Sequence, residues 1–214
     1  MQIPVVLCGY KRSPFTFAMK GALAKTRPDD MASEVIQDLI KNTGANVDDI
    51  EDLLMGCAFP EAEQGFNLAK IVALHADLPK SVAGATINRF CGSSMSTIQM
   101  AAGAIQMGAG ELFIAAGVES MSRIPMGGFN PMPNPVMMEN CPDSYISMGT
   151  TAENLAKKYK IDRDTQETFS VSSQKKAEAA QKSGHFKDEI VEIDGVTDDG
   201  CIRPGTTKEA LEGL

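Results

Sequence analysis

The sequence predicts an α/β fold with helices on both faces of a mostly parallel sheet, interrupted by an inserted loop subdomain. Three observations carry this. Strand-like apolar runs alternate with segments of helical period at βαβ spacing as far as Val118. The run 112–118 (LFIAAGV) is apolar throughout, as in a strand buried on both faces. After Glu119 the texture changes to a stretch rich in Met and Pro.

The elements follow in order. Residues 3–8 (IPVVLC) read as a strand. Residues 31–43 place Met31, Val35, Ile36 and Leu39 at helical spacing, and Gly44 follows as a stop. Residues 52–58 (DLLMGCA) read as a buried strand, and 66–76 as a helix with Leu68, Ile71, Val72 and His75 near one face. SVAGATIN (81–88) is a third strand, residues 93–107 an uncharged helix, and 112–118 a fourth strand. Residues 121–148 then hold six of the thirteen Met, and residues 125–142 five of the eleven Pro. Alternating Pro131, Pro133 and Pro135 exclude regular helix there. Such a stretch is either disordered or a binding lid. Its methionines suit an irregular apolar ligand or gaps beneath a loop. Helices resume at 149–159 and 163–183, with a short strand at 189–193. The predicted organisation is a core over residues 1–120 and a loop subdomain over 121–214, with no internal repeat.

The chain has 214 residues, a formal net charge of −8, 43% hydrophobic and 22% charged residues. That is too apolar for a disordered chain and long enough for a substantial core. The acidic balance argues against nucleic-acid backbone binding, which needs clustered Lys and Arg. Lys157, Lys158, Lys160, Lys175 and Lys176 are interspersed with acids, as on a solvated helix face, although a few lysines remain able to meet a phosphorylated small molecule. The cysteines (Cys8, Cys57, Cys91, Cys141 and Cys201) are odd in number and form no CxxC, which argues against a disulfide framework and a metal site. A reducing cytoplasm is the expected compartment, and the N-terminus lacks the basic region of a signal peptide. Phe90–Gly110 is uncharged and long enough to span a bilayer, but its Ser, Thr, Gln and Gly content predicts a buried helix and no membrane insertion.

The most informative segment is Ile87–Met95 (INRFCGSSM). A strand ends, Cys91 appears, and small residues open a buried helix. The first helical turn has unpaired N–H groups and the positive end of the macrodipole, which stabilise a thiolate. Gly92 and Ser93 leave room for a substrate. A strand-to-helix turn is one way to display a nucleophile. On this pattern alone, a lone Cys between Phe and Gly fits an inert buried thiol better than a nucleophile. Cys8 and Cys57 lie in apolar strands, Cys141 and Cys201 in loops, and all four read as structural.

The run INRFCGSSMSTIQMAAGAI resembles the acyl-enzyme signature of the thiolases, with Asn88 three residues before the Cys and Gly-Ser-Ser after it. Three further segments resemble the same family in the same order: GCAFPEAEQGFNLAK (56–70), AAGVESMSRIPMG (115–127) and SMGTTAENLAKKYKIDRDTQETFSVSSQKKAEAAQKSGHFKDEI (147–190). The forms FNPMPNPV and SMGTTAEN are closer to the degradative branch than to the biosynthetic one. The resemblance implies half of a thiolase-like layered sandwich with its loop subdomain. It implies thiolytic cleavage of a 3-oxoacyl-CoA to acyl-CoA and acetyl-CoA, or the reverse condensation, as in fatty acid β-oxidation. Cys91 would be the catalytic nucleophile, Asn88, Gly92 and Ser93 would support the turn and an oxyanion, and Ser147 and Met148 would meet the substrate. Coenzyme A would be a substrate, with no covalently bound cofactor.

The resemblance also implies residues that are not in this sequence: a Gly-His-Pro histidine, an Asn-Glu-Ala-Phe asparagine and a Cys-x-Gly cysteine. His75 and His185 read as structural or solvated. The expectation is a fragment with little activity alone, lacking the C-terminal half and the closing strand of its core. Family members are homodimers or tetramers, and the contact is expected at strand 81–88 with the nearby Gln64. Two other readings are open: a decarboxylating ketoacyl-synthase relative, and a catalytically incomplete CoA-binding or oligomerisation module.

Overall fold

Pro28 sets where the first helix begins. In the computed structural model, which describes residues 4–214, α1 runs Pro28–Thr43 with the proline in its first turn, where its missing N–H is not needed. Asp29 and Asp30 lie in the first turn and Lys41 in the last, each sign matched to the helix dipole. Gly44 takes a left-handed φ of 65°, and its N–H donates to the Ile40 carbonyl at 2.9 Å. The predicted start at residue 31 falls late because the apolar period begins after the proline and acids that open the helix.

The chain divides into two compact units. One ends at Phe129 and resumes over Phe186–Cys201; the other comprises Asn130–His185 and Ile202–Leu214. The first holds a three-stranded sheet of β1 (Ile50–Gly56), β2 (Ala83–Ile87) and β3 (Leu112–Gly117), in the order β2-β1-β3. Both pairings are parallel, and Leu54 lies opposite Ala85 on one side and Ala115 on the other. The crossovers are α2 (Leu68–His75) and α3 (Ser93–Gln106). They lead in opposite directions across β1. Right-handed crossovers running opposite ways place their helices on opposite faces.

Side-chain alternation along β1 shows the two faces. Leu53 and Met55 join the main core with Leu68, Ala69, Val72 and Ala73 of α2 and Ala32 and Ile36 of α1. Gly56 faces the other way, against Ser93 and Ser94 of α3. The uncharged helix buries Ser96 and Thr97. Their hydroxyls donate to the Gly92 and Ser94 carbonyls at 3.0 and 2.7 Å, and so remain satisfied without water. No helix among the described residues is long and apolar enough to cross a membrane.

Two predicted strands do not form. Residues 4–8 take no regular structure and are exposed, with Val6 73% and Leu7 83% accessible; residue 3 lies outside the described residues. An apolar run becomes a strand only where a ladder takes up its N–H and C=O groups, and none is supplied here. The outer edge of β3 is unpaired among the described residues and borders an apolar groove of about 520 Å³ lined by Leu23, Val35, Leu39 and Ile98. In place of the strand at 189–193, Ile190 makes one parallel bridge to Arg12. Arg12 fixes that segment by donating to Glu189 at 2.7 Å and to both Asp199 oxygens at 2.8 and 2.9 Å.

The second unit is helical. Asn134 caps the short α4 (Pro135–Asn140), which begins where the Pro alternation ends. Ser147 caps α5 (Met148–Tyr159) and Asp162 caps α6 (Arg163–Lys182). The short α7 (Lys208–Leu211) meets α6 through Arg163, which donates to the Leu211 carbonyl at 2.8 Å. Met132, Met137, Met138 and Met148 are all exposed, so these methionines do not fill gaps within their own unit.

Replacing Gly44 by Ala forces an L-residue into the left-handed region. The expected loss is about 1 kcal/mol of unfolding free energy in denaturant titration, against less than half of that for Gly213→Ala, whose position is open.

Candidate active site

The carboxyl ends of the three strands converge, the usual place for a site in an open parallel sheet. β1 runs into Cys57, Ala58 and Phe59, β2 into Asn88–Gly92, and β3 into Val118–Ser120. The Cys57 N–H donates to the Ile87 carbonyl and the Val118 N–H to the Gly56 carbonyl, each at 3.0 Å, so the ladder continues past the named strand ends.

The turn from β2 to α3 is held from both sides. Asn88 uses both ends of its amide: Nδ2 donates to the Ala58 carbonyl and Oδ1 accepts from the Phe90 N–H, each at 2.9 Å. Ser93, 3% exposed, accepts from the Arg89 N–H at 2.9 Å and donates to the Phe90 carbonyl at 2.6 Å. Between these clamps Phe90 takes a φ of 45°, in the left-handed region that a bulky residue rarely enters. Its ring is exposed and lies 5.9 Å from that of Phe59. The next residue, Cys91, is exposed, and Gly92 is the N-cap of α3. The thiol therefore sits at solvent immediately before a helix start.

Two glycines bring that helix start onto the sheet. A Cβ on Gly56 would lie 2.5 Å from the Ser94 nitrogen and 2.6 Å from the Ser93 carbonyl carbon, and one on Gly117 would overlap the Ser94 hydroxyl. Only residues without side chains permit this approach. Both glycines lie in the family-like segments 56–70 and 115–127, but the local sequence does not show their role, because the contact joins strand ends to helix residues that are not adjacent in the chain.

Beneath the turn lies a polar knot absent from the sequence reading. Gln64, fully buried, donates to Glu119 at 2.6 Å and to the Phe59 carbonyl at 2.9 Å, and the same nitrogen lies 3.3 Å from the Cys57 sulfur. Its oxygen accepts from the Ser120 N–H at 2.7 Å. The other Glu119 oxygen accepts from the Ala58 N–H at 2.7 Å. Gln64, expected at a subunit contact, is thus committed to the interior. Burial, and after it the nearby Glu119 charge, pushes the Cys57 thiol up to about 11. Cys57 stays protonated while Cys91 faces solvent.

The remaining residues lie apart from this turn in the sequence order of elements. Ser147 accepts the Thr150 N–H at 3.1 Å as a helix cap, and Met148, 66% exposed, opens α5 in the second unit. His75 pairs with Asp30 at 2.9 Å between α1 and α2.

The first unit is thus an α/β fold that presents a cysteine immediately before a helix start. Residues 5–214 match the family described as "Thiolase, N-terminal domain", and the chain belongs to that family. Among curated relatives, it is 43% identical to the 3-ketoacyl-CoA thiolase of Bacillus subtilis (strain 168), over 100% of this chain and 59% of the relative. It is 37% identical to the 3-ketoacyl-CoA thiolase of Marinomonas sp. (strain MWYL1), over 98% of this chain and 56% of that one. The protein of that name from Colwellia psychrerythraea is 36% identical, over 98% of this chain and 57% of its own length. The chain therefore spans a little over half the length of these relatives.

Two predictions follow from the packing. Gly56→Ala meets backbone that has no side-chain end to move aside. It should destabilise the fold by about 1–3 kcal/mol in chemical denaturation, where a surface control such as Gly103→Ala, in open space, should not. For Cys57 the native thiol holds its proton above the unfolded value of 9.0. The native state then binds more protons between pH 9 and 11, so its stability falls as pH rises through that window and is complete below it. The Cys57→Ala variant should lose less unfolding free energy than wild type between those two pH values, by roughly 1–3 kcal/mol.

Proposed function

We propose that this chain carries the acyl-transfer nucleophile of a 3-ketoacyl-CoA thiolase, the activity that the relatives' names state. The observation that carries the reading is the exposed residue Cys91, held by a clamped turn at the N-terminus of α3. In this reading the Cys91 thiolate attacks the 3-keto carbon of a 3-oxoacyl-CoA. The bond between C2 and C3 breaks, its electron pair leaves with acetyl-CoA as the enolate, and a proton converts that to acetyl-CoA. The acyl group stays on sulfur as a thioester. Free coenzyme A gives up its thiol proton, which balances the one taken up by the enolate, and as a thiolate attacks the thioester; the acyl–sulfur bond to Cys91 breaks, acyl-CoA leaves and Cys91 returns as the thiolate. This is covalent nucleophilic catalysis. The positive end of α3 and the Cys91 backbone N–H are assigned to the oxyanion. Asn88 and Ser93 act on the turn, since their polar atoms hold Ala58, Arg89 and Phe90. Gly92 leaves the approach to the sulfur free of a side chain. Ser147 and Met148 are assigned to substrate contact by the resemblance, as is the loop subdomain's grip on coenzyme A.

The acid–base groups are the part that this sequence does not supply, since it contains neither Gly-His-Pro nor Cys-x-Gly. The proposal is therefore a chain that forms the acyl-thioester but turns over slowly by itself. Its expected setting is the cytoplasm, as half of the fold of a homodimeric or tetrameric enzyme. The outer edge of β2, unpaired among the described residues, is the assigned contact with a second copy.

Intact-mass spectrometry after mixing with an acyl-CoA tests this reading. An acyl adduct on the wild-type chain that is lost in Cys91→Ser is the expected result. Tight coenzyme A binding without any adduct would instead establish a binding module, and rapid multiple turnover by the pure chain would overturn the claim that its catalytic apparatus is incomplete.

A further inference from the structure

We infer that Gln64 and Glu119 are positioning residues for Cys91, acting through Ala58 and Asn88. The inference rests on the acyl-transfer reading for its consequence, but its geometry stands independently. Glu119 accepts at both oxygens, from the Gln64 amide at 2.6 Å and from the Ala58 N–H at 2.7 Å. Gln64 ties that carboxylate to the Phe59 carbonyl at 2.9 Å and to the Ser120 N–H at 2.7 Å. The Cys57–Phe59 bend is thus fixed to the end of β3 by four hydrogen bonds around one buried amide and one carboxylate. The Ala58 carbonyl, on the same residue whose N–H is held by Glu119, receives the Asn88 amide at 2.9 Å. Asn88 in turn holds the Phe90 N–H at 2.9 Å.

The path ends on the one strained residue of the turn. A bulky side chain at a φ of 45° persists only where its surroundings over-determine it. Asn88 is one of the two groups that do so, and its own orientation depends on a fixed Ala58 carbonyl. If the bend relaxes, Asn88 loses its anchor, Phe90 returns toward an ordinary φ, and the following residue, Cys91, turns away from the helix mouth. Core packing alone does not require this. Neighbouring β1 already has its ladder on both sides, yet the loop beyond it recruits a buried amide and a charge.

The donor pattern supplies the test. Glu119→Gln replaces one acceptor by an NH₂ group, which opposes either the Ala58 N–H or the Gln64 NH₂. Gln64→Glu sets two carboxylates against each other. The double exchange, Gln64→Glu with Glu119→Gln, restores a donor–acceptor match between them. In the full 214-residue chain, both the rate of Cys91 acylation by an acyl-CoA and the rate of its alkylation by iodoacetamide are read by peptide mapping. Cys141, exposed in the second unit, serves as internal control. Each single variant should slow Cys91 acylation at least tenfold with Cys141 labelling unchanged, and the exchange, which restores their mutual bond but leaves the Phe59 carbonyl without its donor, should recover part of the loss. Asn88→Asp keeps the acceptor for Phe90 and removes the donor to Ala58. It should reproduce the slowing on its own, and decides the matter if a knot variant does not fold. Acylation at the wild-type rate in folded variants, or no rescue by the exchange together with a wild-type rate in Asn88→Asp, overturns the inference. If the wild-type chain takes up no acyl group while the variants still shift Cys91 alkylation, the acyl-transfer reading fails and the positioning role stands.

Discussion

The first turn of α3 lies so close to the sheet that the strand residues beneath it can carry no side chain, and the site's geometry depends on this contact. Gly56 and Gly117, at the ends of adjacent strands, let the backbone of Ser93 and Ser94 rest on β1 and the Ser94 side chain rest on β3. A helix brought so near leaves little length for the connection from β2. The chain must reverse within Asn88–Gly92, and the reversal requires a residue in the left-handed region. Phe90 takes it, and the residue that follows is the cysteine. Close packing, a short turn and an exposed thiol are therefore one constraint seen at three scales.

The turn is held by side-chain amides and hydroxyls. Asn88 and Ser93 bond the backbone on both sides of Phe90, which offsets the strain locally. Behind them the Gln64–Glu119 knot joins the ends of β1 and β3. The two cysteines of this region are separated chemically by their settings. Cys57 is buried beside a carboxylate and keeps its proton, whereas Cys91 stands at solvent before a helix start. A site that needs one nucleophilic sulfur is served by keeping the other inert.

Much of the fold was legible in the chain because its signals are local. Helical spacing located α1 and α2, an uncharged run marked α3, Gly44 marked a real stop, and the apolar run at 112–118 became β3, although at the sheet edge and not buried on both faces. The alternating prolines excluded helix as far as Pro133, but Pro135, counted with them, opens α4, since a proline in the first turn withholds no needed N–H. The failures share a cause. IPVVLC and residues 189–193 have strand-like composition, but a strand is a property of a pair, and neither run finds a ladder among the described residues. Around the site, INRFCGSS announced the turn because every residue in it is contiguous. Gln64 and Glu119 gave no such signal: they meet across 55 residues of sequence, and an isolated Gln in a polar loop looks like a surface residue.

Membership of the thiolase family and the clamped cysteine together favour acyl transfer, with a sulfur atom as the temporary carrier. That account requires the fold itself, before any ligand arrives, to offer one thiol and withhold its neighbour. Native-state alkylation with iodoacetamide at neutral pH, followed by peptide mapping, measures this most directly. The account predicts that Cys91 is modified in the folded chain and Cys57 only after denaturation. A Cys91 as unreactive as Cys57 in the native protein would contradict it.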